Sequence, residues 1–92
     1  MLRQFFEAND EMLDLYINAI TKAHGKNYPE VFDVRKVYET IQHKIRDNNL
    51  DLSNEFSELR ALTKDYTIPD DVCGTFTKTY QLLKQFDELS QE

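Results

Sequence analysis

Cysteine is almost absent from this chain. Cys73 is the only one, and a lone thiol cannot close an internal disulfide, so the fold must hold without covalent staples and a reducing, cytosolic setting is expected. Glycine and proline are equally scarce, two of each. A phosphate-cradling loop needs several glycines ahead of a helix and cannot be built from two isolated ones. Basic residues are outnumbered, eleven against seventeen acids for a net charge of −6. Such a surface repels phosphate backbones and anionic lipid head groups, so nucleic acid is not expected as a partner. No stretch approaches the ~18 apolar residues of a membrane span, so no membrane insertion is expected. The opening Met1-Leu2-Arg3-Gln4-Phe5-Phe6-Glu7 lacks the basic region and apolar run of a secretory signal. Alternating strand patterns are missing too.

What is present is helical periodicity. In 92 residues a single hydrophobic core is the economical arrangement, so one domain is expected. Apolar residues at Leu2, Phe5, Phe6, Met12, Leu13, Tyr16, Ala19, Ile20 and Ala23 follow the three-and-four spacing of one helical face. Asn9 interrupts that stripe, leaving a start near Leu2 or at Asn9 open. Gly25 is read as a left-handed cap after His24, and Pro29 as the first turn of a second helix. Its stripe is Val31, Val34, Val37, Tyr38, Ile41 and Ile45. Ser53 and Asn54 read as caps of a short third helix carrying Leu52, Phe56, Leu59, Leu62 and Tyr66. Thr67-Ile68-Pro69-Asp70 reads as the start of a fourth, with Val72, Phe76, Tyr80, Leu83 and Phe86 inward and Gly74 at a close backbone approach. The expected helices span 3–24, 30–48, 53–66 and 69–90. Short connections predict an all-α, antiparallel up-and-down four-helix bundle.

Candidate chemistry is thin. Histidine occurs only as His24 and His43, and His43 projects beside Glu39 and Asp47 on a solvated face, without the second group a general base needs. No Glu-x-x-His pairing occurs that would converge metal ligands. Glu7, Asp10, Glu11 and Asp14 cluster opposite the helix 1 stripe, either as its wet face or as an acidic docking surface for a basic peptide. Arg35, Lys36, Lys44 and Arg46 on helix 2 are interleaved with acids and read as a solvated face. Cys73 adjoins the core stripe with no foreseeable cation beside it, which favours a buried structural thiol over a nucleophile. The residues therefore point to no cofactor, no metal, no catalytic group and no enzyme.

Eleven Phe and Tyr residues are a generous supply for one small core. The apolar arc of helix 4 is wider than packing against one groove requires. The excess, Leu82, Phe86 and Leu89 with Lys84 beside them, is read either as core or as an exposed patch that binds a protein partner.

The order of segments resembles the small immunity proteins that lactic-acid bacteria make against their own pediocin-like (class IIa) bacteriocins, in particular the enterocin A immunity type. The resemblance runs through Leu13-Asp14-Leu15-Tyr16-Ile17-Asn18-Ala19-Ile20 and Lys36-Val37-Tyr38-Glu39-Thr40-Ile41-Gln42-His43-Lys44-Ile45. It continues in Phe56-Ser57-Glu58-Leu59-Arg60-Ala61-Leu62 and Leu82-Leu83-Lys84-Gln85-Phe86-Asp87-Glu88-Leu89. It implies a cytoplasmic, non-catalytic antiparallel bundle that protects the producer by acting on the bacteriocin-bound mannose-transport permease, with specificity in the C-terminal half. A helical interaction module or regulatory subunit of another kind is the alternative, and the oligomeric state is left open.

Overall fold

The computed structural model describes residues 2–91. Four helices follow in order: α1 Leu2–His24, α2 Glu30–Arg46, α3 Ser53–Thr63 and α4 Gly74–Ser90. Contacts between their ends show that neighbours run antiparallel. Arg3, at the start of α1, donates to the carbonyl of Ile45 and to Asn48 at the end of α2. Lys44, late in α2, pairs at 2.9 Å with Glu55 at the start of α3. The rings of Phe5 and Phe6 stack on Phe86, near the end of α4, while His24 meets Cys73 just before α4 begins. The result is an all-α four-helix bundle in which α1 packs against both α2 and α4, and α2 against α3.

Periodicity explains the core. Leu13 and Ile17 of α1, Val34, Tyr38, Ile41 and Ile45 of α2, Phe56 and Leu59 of α3, and Leu83 and Phe86 of α4 form one buried cluster. A smaller cluster, Ile20, Val31, Phe76 and Tyr80, lies at the other end beneath Tyr28, Ile68 and Val72. The helix 1 stripe is narrower than its spacing suggests, since Ala19 and Ala23 lie outside it. Asn9 does not interrupt α1: its amide donates to the carbonyl of Phe5 at 3.0 Å, four residues back, so its polarity is satisfied within the helix.

The connections depart from expectation in ways that local chemistry explains. Gly25 does not adopt a positive φ. A side chain there would overlap the backbone carbonyl of Thr21 and come within 2.5 Å of the end of the Phe32 ring; the ring is partly exposed and can turn aside, so it is the carbonyl of the last turn of α1 that requires glycine. α2 stops at Arg46 and not at residue 48, because Asn48 turns left-handed (φ 62°). The N–H groups of Asn48 and Asn49 then return to the carbonyls of Ile45 and Lys44, closing a Schellman motif. Ser53 and Asn54 do not cap α3; Asp51 accepts from the Ser53 hydroxyl at 2.8 Å instead.

α3 ends at Thr63, short of residue 66, in three consecutive left-handed non-glycine residues, Lys64, Asp65 and Tyr66 (φ 52°, 59° and 62°). Such residues cost on the order of 1 kcal/mol each, so the surroundings must hold them. The N–H of Tyr66 donates to the Thr63 hydroxyl and its phenol to Asp87, both in buried positions. The fourth helix does not begin at Pro69. Thr67 turns its hydroxyl back to the carbonyl of Lys64, and residues 67–73 form a strap whose Ile68 and Val72 cover the smaller core cluster. α4 begins at Gly74, behind an extended Cys73 (φ −78°, ψ 170°). A Cβ at Gly74 would meet nothing within 4 Å, so the close backbone approach expected there does not occur.

Candidate functional site

The partner-binding patch expected on α4 is not assembled. Leu82 is 6% exposed and Phe86 fully buried. Phe86 stands with ring centroids 5.2 Å from both Phe5 and Phe56 and 6.2 Å from Phe6, so the excess apolar width of the helix is spent on gripping α1 and α3. Leu89 is half-buried and Lys84 exposed. What this face presents outward is polar: Lys78, Gln81, Lys84, Gln85 and Glu88 line a shallow depression. Aromatic content alone could not separate a ring that faces solvent from one that faces two neighbouring helices.

The acids of helix 1 also divide differently from expectation. Glu7 and Glu11 are exposed, Asp14 is exposed yet accepts from Gln42 of α2 at 3.2 Å, and Asp10 is turned toward α2. It accepts from the Tyr38 phenol at 2.6 Å and the Gln42 amide at 2.8 Å, with Arg46 3.6 Å away. Burial and the Asp10 bond push the Tyr38 phenol well above its ordinary pKa. A second such centre lies at the far side, where Asp87 takes both oxygens to Arg60 at 2.7 and 2.8 Å and accepts from Tyr66 and Gln91. At 3% exposure an unpaired carboxylate would be costly, and this one is saturated with donors, so its role is to join α3 to α4.

The residues with the most reactive arrangement are a pair that sequence reasoning kept apart. Cys73 is exposed, not buried as expected, and its Sγ lies 3.2 Å from Nε2 of His24. The fold brings them together because the C-terminal end of α1 meets the N-terminal end of α4. His24 itself packs edge-on against Phe76 at 5.4 Å. The imidazole bond, followed by the backbone amides of Phe76 and Thr75, lowers the thiol to about 7. Each partner sits at the helix pole whose sign suits its charged form. Beside them Tyr28 donates a hydrogen bond to Asp71, fastening the strap to the α1–α2 turn. The only advance signal was a histidine in the last turn of one helix and a cysteine ahead of another, 49 positions apart.

Chemically the pair is an activated surface thiol. Cys73 stands open to solvent. His43 is exposed, as its position on α2 suggests. Among the described residues no group of three or more His, Cys, Asp or Glu side chains could hold a metal ion, and no helix is long and apolar enough to cross a membrane. A cavity of about 250 Å³ opens where α3 ends, between the starts of α2 and the strap. No protein-family profile matches the sequence, and no solved structure matches the fold.

Proposed function

We propose that the chain is a non-catalytic immunity protein of the class IIa bacteriocin kind, which protects its cell by docking on the bacteriocin-bound mannose-transport permease from the cytoplasmic side. The observation that carries this reading is the antiparallel four-helix order running through every segment on which the resemblance rests. With Leu82 and Phe86 inside, docking by the C-terminal half falls to the polar outer face of α4 around Lys84, Gln81, Gln85 and Glu88. Expression in a bacteriocin-sensitive strain is the direct trial: survival should rise, and Lys84→Glu should reduce the protection without unfolding the chain. Unchanged killing by every pediocin-like peptide tried would sink the proposal.

An interaction module or subunit of another kind is favoured by one feature of α1. Leu15 stands 66% exposed on the outer side of that helix, a large apolar side chain with no neighbour to cover it. A second helix could cover that position. Light scattering that finds a strict monomer at high concentration rules out self-association through it; a dimer dissolved by Leu15→Glu supports it.

A further inference from the structure

Tyr80 is an exception among the buried tyrosines. Tyr38 and Tyr66 each give their hydroxyl to a carboxylate, whereas Tyr80, at 2% exposure, donates to no group among the described residues. Among those residues no fully enclosed side-chain nitrogen or oxygen lacks a partner, so its hydroxyl must keep contact with solvent. The cavity of about 250 Å³ that Tyr80 lines is the opening it has. Lys64, at the start of the left-handed turn, and Thr67 and Pro69 of the strap border this cavity. Tyr28, Leu62 and Pro69 contribute apolar wall, and Glu30 and Lys64 contribute opposite charges. Neither charge forms an ion pair, with the other or with any described residue. Glu30 is near enough to reinforce burial in raising the Tyr80 phenol.

We infer that this cavity binds a free α-amino acid with an apolar side chain. The ammonium pairs with Glu30, the carboxylate with Lys64 and the Tyr80 hydroxyl, and the side chain lies against Tyr28, Leu62 and Pro69. The volume is below that of ordinary drug-sized sites, which limits the occupant to about one residue. A zwitterion complements both charges without adding net charge to an already acidic protein, whereas a simple amine or a simple acid would engage only one of them.

The inference does not rest on the immunity proposal, and its test is separate from cell survival. Amide chemical shifts of the whole labelled protein are followed during titration with leucine, phenylalanine, leucinamide and N-acetylleucine, each to millimolar concentration. Saturable shifts at residues around the cavity are expected with the free amino acids, with leucinamide and N-acetylleucine each at least about fivefold weaker, the loss of one charged partner. Tyr80→Phe keeps the ring in the core and should weaken leucine by about fivefold, the loss of one hydrogen bond. Should that variant unfold, Lys64→Gln on the exposed turn gives the same reading. No saturable shift with any amino acid, or binding of either blocked derivative as tight as that of leucine, overturns the assignment.

Discussion

A single side-chain pair sets the reactivity of this surface. Because the His24 imidazole holds Cys73 near 7 and not at the 9.0 of a free thiol, the nucleophilic thiolate appears about two pH units earlier on titration. Iodoacetamide alkylation should therefore rise with a midpoint near pH 7, and His24→Ala should move the midpoint upward; a wild-type midpoint close to 9 would contradict the geometry. The tyrosines show the opposite sign. Tyr38, Tyr66 and Tyr80 are raised above 10.0, in each case chiefly by burial. Burial that raises an acid's pKa favours its protonated form in the folded state, so this contribution to stability is intact below about pH 10 and is lost as the pH climbs toward the folded value. Phenolate absorbance from these three should accordingly appear together with loss of the helical dichroism signal, not before it. Gly25→Ala makes a third residue-scale case: the new methyl group meets the Thr21 carbonyl as well as the Phe32 ring, and an overpacking cost of about 1–3 kcal/mol is expected in denaturant unfolding.

At the level of elements, the apolar spacing located all four helices and most inward faces, because burial of a stripe every three or four residues has few alternatives in a chain without strand patterns. The ends were less legible. Asn48 could be foreseen as a terminator, but Lys64, Asp65 and Tyr66 carry no local preference for left-handed backbone strong enough to announce a turn; their conformation depends on Thr63 beside them and Asp87 on another helix. The Thr67-Pro69-Asp70 signal was a sound helix start in isolation. It lost to tertiary packing, since Ile68 and Val72 both cover core from the strap. The Cys73–His24 pair was hidden for the same reason: sequence shows which residues exist, and the meeting of two helix ends shows which become neighbours. Lys64→Gly tests the strain directly, with a gain of about 1 kcal/mol expected from relief of the left-handed conformation. A loss in thermal unfolding would mean that Lys64 makes stabilising contacts exceeding that relief.

For the whole molecule, the aromatic supply is what lets so short a chain hold four helices without a staple. Phe86 touches rings from α1 and α3, and Phe76 those of Tyr80, Tyr28 and His24 at the opposite end. Phe86→Ala and Phe76→Ala should each cost about 3–5 kcal/mol, comparable with the entire stability of a small domain, so either variant is expected to be largely unfolded by circular dichroism. Leu89→Ala, at a half-buried site, should cost far less. Tyr66, meanwhile, is held in its twisted posture by a carboxylate 21 positions downstream. Deleting the chain from Asp87 onward would thus do its first harm far back along the sequence: the joint after α3 would spring back toward a right-handed path, carrying the strap and the mouth of the amino-acid-sized cavity with it.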